Sequence, residues 1–172
     1  MQELVTIGYE GATIDDFIET LRIAKIEQLV DVREIPNSRK KGFSKNGLSA
    51  ALADVGIDYV HLPALGDPKP GRDAARAGDY KQFRKIFHNH LKTRKARDAL
   101  SEAASIVSET RCCLLCFERA PQLCHRSIVA KKLSTISPLN ILHIGVQHGS
   151  STDGGTRRQR NSLNIGESAT AG

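Results

Sequence analysis

Short apolar runs alternate along this chain with stretches in which apolar residues return every three or four positions. Leu4-Val5-Thr6-Ile7-Gly8 reads as a buried strand, and Ile14, Phe17, Ile18 and Leu21 behind it recur at helical spacing. Thr13 precedes that stripe as an N-cap, with Asp15 and Asp16 in the first turn, where the helix dipole favours acids. Gln28 to Val32 predicts a second strand, and Leu48, Leu52 and Val55 predict a helix that stops at Gly56. Ile57 to Leu62 predicts a third strand. Pro63, Gly66, Pro68, Pro70 and Gly71 then predict a long irregular loop, a lid candidate. Asp79 is placed to cap a helix with apolar positions Tyr80, Phe83, Phe87 and Leu91, and the period resumes through Ala99, Leu100, Ala103, Ile106 and Val107 after a bend near Thr93. Arg111 to Phe117 is the most strand-like run, Pro121 suits the first turn of a helix, and Leu139 to Ile144 ends the ordered pattern.

Strands alternating with helices predict a single three-layer α/β domain, with a mostly parallel sheet of about five strands and helices on both faces. That domain covers residues 1–146. Residues 147–172 are polar and rich in Ser, Thr, Gly, Asn and Arg, so they are expected to form a disordered tail. A length of 172 residues suits one domain, and 40% hydrophobic with 26% charged residues suits a globular one. The start of the chain lacks the basic and apolar regions of a signal peptide, and no apolar run approaches about 18 residues, so neither secretion nor membrane insertion is expected. Three of the four cysteines (Cys112, Cys113 and Cys116) share one strand-like run, which makes a poor disulfide framework. Free thiols fit the cytoplasm.

The net charge of +6 adds a partner to this picture. Between Arg72 and Arg97 basic residues far outnumber Asp73 and Asp79, and Arg39, Lys40, Lys41 and Lys45 form a second cluster. Such patches fit an anionic small-molecule substrate or a nucleic acid, and equally a solvated helix face.

In open α/β sheets ligands bind beyond the carboxyl ends of the strands, and these ends are unusually polar here. Strand one runs into Tyr9 and Glu10, strand two ends at Asp31 and Arg33, strand three carries Tyr59 and His61, and strand four leads to Cys116 and Glu118. The densest segment is Cys116 to Arg126. If Pro121 opens the helix, Cys124, His125 and Arg126 fall in or near its first turn, where unpaired N–H groups and the dipole favour an anion or a thiolate. Cys124 is then a nucleophile with His125 or Glu118 as acid or base. The bland alternative makes Cys124 a small buried hydrophobe and Arg126 the partner of Glu118. Asp31 and Arg33, two apart on a strand, point to the same side and hold either a polar ligand or each other. Ser38 and Arg39 add hydroxyl and guanidinium donors after Pro36. Neither a G-x-G-x-x-G turn nor a Walker pattern is present, which disfavours NAD and P-loop nucleotide chemistry. No metal site is expected, because neighbours on a helix diverge by about 100° and Cys124 and His125 would not share an ion. No cofactor and no oligomeric state is specified by these residues. His88, His90, His143 and His148 read as structural or solvated, with His143 a weak candidate.

Four segments resemble the family catalogued as domain of unknown function 488: TIGYEG at Thr6 to Gly11, DVREIPNSRKKGFSK at Asp31 to Lys45, YVHLPALG at Tyr59 to Gly66, and LLCFERAPQLCHR at Leu114 to Arg126. The resemblance implies the same fold and marks Tyr9, Glu10, Asp31, Arg33, Ser38, Arg39, His61, Cys116, Glu118, Cys124, His125 and Arg126 as candidate site residues. It implies no reaction. The residues themselves lead to an enzyme acting on a phosphorylated or nucleotide-like substrate, bound by Arg33, Arg39 and Arg126, with Cys124, His125 and Glu118 carrying the chemistry. The alternatives are a nucleic-acid-binding module without catalysis and a redox-sensing thiol protein.

Overall fold

A computed structural model describes residues 1–153. Five strands, β1 (Gln2–Gly8), β2 (Gln28–Asp31), β3 (Asp58–His61), β4 (Cys112–Cys116) and β5 (Leu139–Gly145), form one sheet in the order β3-β2-β4-β1-β5, with every neighbouring pair parallel. Between them run six helices, α1 (Ile14–Ile23), α2 (Lys45–Ala53), α3 (Lys69–Arg76), α4 (Tyr80–His90), α5 (Arg94–Glu109) and α6 (His125–Ser134).

The period of two along each strand sends alternate residues to opposite faces, which divides the core into two clusters. Val5, Ile7, Leu29, Cys113 and Leu115 pack with Phe17 and Leu21 of α1 and with Leu48 and Leu52 of α2. On the other face Leu4, Val30, Cys112 and Leu114 pack with Phe83 and Phe87 of α4, Leu100 and Ala103 of α5, and Val129 and Leu133 of α6. Each fully buried Leu or Phe contributes on the order of 1.5–3 kcal/mol, so the clusters hold three layers together on the strength of strand periodicity. Thr13 caps α1 by accepting from the Asp16 N–H at 3.2 Å, and Asp79 caps α4 by accepting from Gln82 at 3.0 Å. The bend near Thr93 is a full break between helices, because Thr93 takes an extended conformation and caps α5 through the Ala96 N–H.

Two local details differ from expectation. Part of the irregular loop is α3, whose sequence KPGRDAAR buries only Gly71 and so carries no apolar stripe. Pro121 opens a 3-10 turn (Pro121–Leu123), and α6 begins at His125, with Cys124 extended at φ −122° and ψ 142° as its N-cap residue. The polar stretch from Gln147 starts out docked on α1: the Thr20 hydroxyl oxygen accepts from the Gln147 N–H at 3.0 Å, and the Asp16 carboxylate accepts from Gly149 at 3.0 Å and Ser151 at 3.1 Å. Residues 154–172 of the expected tail lie outside the described residues. Among the described residues no helix is long and apolar enough to cross a membrane.

Candidate functional site

Strands β2, β4 and β1 lie side by side, so their carboxyl ends deliver Asp31, Cys116 and Tyr9 to one region. Gly8 makes that approach possible. A Cβ there would sit 1.8 Å from the Glu118 carbonyl oxygen, so no larger residue lets β1 end so close to the loop after β4. Backbone bonds Tyr9 N–H to Cys116 O (3.3 Å) and Glu10 N–H to Phe117 O (2.8 Å) fix the two segments together.

At the end of β2, Asp31 and Arg33 hold each other. The guanidinium donates to the carboxylate through Nε at 2.9 Å and Nη2 at 2.6 Å, and Nη1 donates to the Phe43 carbonyl at 2.7 Å and the Tyr9 hydroxyl at 3.2 Å. Tyr59 adds a 2.6 Å bond to the same carboxylate, and His61 donates to the Arg33 carbonyl at 2.7 Å. Tyr9 stacks on Phe43 with ring centroids 4.4 Å apart.

Beside this network lies a thiol–imidazole–carboxylate cluster. His125 is buried against Val32, whose carbonyl accepts from Nε2 at 2.7 Å, which leaves Nδ1 3.6 Å from Cys116 Sγ. Cys116 donates to a Glu118 carboxylate oxygen at 3.3 Å. Donor atoms of Cys116, Cys124 and His125 all lie within 4.8 Å of one another. Arg126, fully buried, closes the back of the cluster by donating to Thr6 Oγ1 at 3.2 Å, to the Arg119 carbonyl at 3.1 Å and to the Glu118 carbonyl. Burial opposes ionisation of Cys124, but the bond from Cys116 and the neighbouring His125 and Arg126 outweigh it and hold this thiol well below its ordinary pKa. Burial, the bond to Cys124 and the charges of Cys124 and Glu118 push Cys116 well up. Burial also works against charge on His125, yet Cys124 lifts it to about 9. Glu118 is pushed up to about 7 by burial and by Cys124. The cluster thus favours one thiolate facing one imidazolium.

These side chains line a cleft of about 350 Å³: Tyr9, Arg33, Cys116, Glu118 and His125 face it from the sheet side, and Asp67, Lys69, Arg72 and Arg76 from α3 and the turn before it. Arg72 donates to the Asp67 carbonyl at 2.6 Å and pairs with Glu34, whereas Arg76 and Lys69 share Asp73 at 3.8 Å and 2.7 Å. Exposed Phe117 and Ile35 give the cleft an apolar edge.

Of the twelve candidates from sequence, five line the cleft directly, namely Tyr9, Arg33, Cys116, Glu118 and His125. Asp31 and His61 touch it through Arg33, and Cys124 and Arg126 lie behind Cys116, His125 and Glu118. Glu10 is exposed and accepts from the Arg119 N–H at 2.9 Å. Ser38 bonds the Lys40 N–H, and Arg39 is exposed; neither lines the cleft. Successive helix positions would send Cys124 and His125 apart, but Cys124 is extended, and the donor atoms of the two side chains lie together. Lys69 and Asp67 line the cleft but carried no signal in the sequence. Asp67 is buried with Oδ1 lacking a hydrogen-bond partner among the described residues, and its carboxyl is pushed up to about 6, chiefly by burial. Arg72 and Arg76 fall in the basic run that fits either an anionic partner or a solvated helix face, and a helix without an apolar stripe gave no sign that they face the cleft.

The fold and cleft define a class, a three-layer parallel α/β domain with thiol, imidazole and carboxyl groups gathered at its strand ends. The chain matches the family described as Domain of unknown function DUF488 over residues 13–133, and it belongs to that family. Neither the curated proteins nor the solved structures contain a match to it.

Proposed function

We propose that this chain is an enzyme acting on a phosphate-bearing small molecule held in the cleft. One observation carries the reading: a single cleft has Cys116, Glu118 and His125 on one side and Lys69, Arg72 and Arg76 on the other. Scaffold ion pairs alone do not require a thiol and an imidazole to face the same cleft as three cations. In this reading Lys69 and Arg76, both largely exposed, receive the anionic group, and Phe117 packs on the apolar part of the substrate. The Cys116–Cys124–His125 unit is the reactive centre, with Glu118, bonded to Cys116, moving the proton.

The test is a binding screen of nucleoside monophosphates, sugar phosphates and inorganic phosphate by calorimetry, with phosphorus NMR reading turnover. Binding should weaken about tenfold in Arg76→Ala, a loss of about 1.4 kcal/mol. Glu118→Gln should keep binding and lose turnover. Absence of binding by every compound, or binding indifferent to both Lys69→Ala and Arg76→Ala, overturns the reading.

A second reading, a nucleic-acid-binding module, draws on a separate surface. Lys81, Arg84, Lys85, Lys92, Arg94, Lys95 and Arg97 are all exposed along α4 and the start of α5. His88, Lys92, Arg97 and Lys132 line a groove of about 230 Å³ there. This module would bind nucleic acid with a steep salt dependence that falls with each lysine removed, and would be indifferent to Glu118→Gln.

A further inference from the structure

We propose that Cys116, Cys124 and His125 bind one divalent, thiolate-preferring transition-metal ion of the zinc type at the inner wall of the cleft. The inference deepens the enzyme reading and rests on it only for the use to which the ion is put.

The donor set comes first. Two thiols and an imidazole are the ligands that zinc prefers, and their donor atoms already lie within 4.8 Å of one another although Cys116 ends β4 and His125 follows nine residues later. Zinc bonds of about 2.3 Å to sulfur and about 2.0–2.1 Å to nitrogen put neighbouring S and N ligands of a tetrahedron roughly 3.6 Å apart. Cys116 Sγ and His125 Nδ1 are 3.6 Å apart.

Orientation comes second. His125 Nε2 donates to the Val32 carbonyl at 2.7 Å, which fixes the ring and leaves the Nδ1 lone pair toward the thiols. Metal-ligating histidines are held in this way by a backbone carbonyl. Cys124, extended before α6, brings its thiol to the same point as the side chain that follows it.

Charge is the third argument. Two thiolates and a neutral imidazole balance a divalent cation. Arg126, the nearest buried cation, is taken up by Thr6 and by two backbone carbonyls. Cys116 and His125 line the cleft and Cys124 does not, so a fourth coordination position would face the cleft. Three protein ligands with an open position are the pattern of a catalytic rather than a structural zinc site.

The full chain, purified under reducing conditions, should carry metal by elemental analysis, and the metal-free protein should take up one Zn²⁺ in competition with a chromogenic chelator. Co²⁺ should give sulfur-to-metal charge-transfer bands in the near ultraviolet and the visible bands of tetrahedral cobalt. Cys116→Ala and Cys124→Ala should each lower zinc affinity by more than the roughly 10–100-fold that an outer-shell change costs. Cys113→Ala, on the opposite face of the sheet, should leave it unchanged. Should the ligand variants fail to fold, the wild-type cobalt spectrum decides: no sulfur charge transfer overturns the proposal. Loss of zinc in Cys113→Ala, or retention in both ligand variants, overturns it too. Phosphate binding and turnover by a protein that takes up no zinc would sink the metal site and leave the enzyme reading standing, whereas zinc uptake without any phosphate-compound binding would do the reverse.

Discussion

Asp31 and Arg33, two residues apart where β2 ends, form a buried two-pronged ion pair, with Nε 2.9 Å from Oδ1 and Nη2 2.6 Å from Oδ2. The guanidinium is spent inside the protein, on Asp31, Tyr9 and Phe43, and it ties the second strand end to the first. Its value is positional. Removing one partner leaves the other charged and unpaired, so Arg33→Ala should destabilise the fold by about 3–5 kcal/mol. Arg33→Lys should recover only part of that, since an ammonium does not reproduce the fork. Urea denaturation of the three proteins checks both.

Gly8 gives a second, independent handle on the same geometry. An alanine there meets the Glu118 carbonyl, so Gly8→Ala should cost on the order of 1–3 kcal/mol or more and displace the Cys116–Glu118 segment. Gly47, inside α2 with no contact closer than 3.4 Å for an added Cβ, supplies the contrast. Gly47→Ala should stabilise by about 0.5–1 kcal/mol, as helix propensity requires. Thermal melts of both variants would sink the geometry if Gly8→Ala proved neutral.

How far the sequence reached follows from what each signal measures. The five strands and the helix positions Phe17, Leu48, Phe83, Leu100 and Val107 were legible because burial imposes a period on apolar residues. Helix α3 was not, because KPGRDAAR packs only through Gly71, Ala74 and Ala75, residues too small to make an apolar stripe, and presents charge elsewhere. The polar strand ends were legible as a group, since topology alone brings them to one side. Their pairing was not. Whether Arg33 faces a ligand or Asp31 depends on side-chain geometry, and Asp67 lies in a turn whose sequence says nothing of its burial.

Asp16 supplies the pH prediction. Its carboxylate accepts from the Ser151 and Gly149 N–H groups and from the Ser151 hydroxyl, which lower its pKa from 3.8 to about 2. A depressed carboxyl pKa contributes stability that is present above the unfolded value and lost as pH falls through the folded one. Stability should therefore decline between about pH 4 and pH 2, and Asp16→Asn should be less stable at neutral pH with a flatter decline. Ending the chain after Gln147 removes the same donors and should behave like Asp16→Asn, whereas ending it after Asp153 keeps them. Identical acid profiles for all of these proteins would show that the docking of Gly149 and Ser151 adds nothing.

Thiol access gives the last prediction. All four cysteines are free and buried, but they are buried against different things. Cys112 and Cys113 are fully enclosed on opposite faces of the sheet, where burial pushes Cys112 up to about 12 and Cys113 well above its ordinary value. Cys116 borders the cleft, and Cys124 lies just behind it. From sequence Cys124 is the thiol expected to react ahead of Cys112 and Cys113; the packing puts Cys116 between it and the cleft. A small alkylating reagent entering the cleft of metal-free protein should therefore modify Cys116, which has the access, and Cys124, which has the thiolate character, ahead of Cys112 and Cys113, which react only as the fold opens. Peptide mapping by mass spectrometry at increasing times gives the order directly. Because the reagent and a bound ion compete for the same sulfur atoms, excess zinc should protect Cys116 and Cys124 together and leave the slow rates of Cys112 and Cys113 unaltered. Labelling that reached Cys112 or Cys113 as fast as Cys116 would mean that the cleft gives no privileged access to a thiol, and the placement of the reactive centre there would fall with it.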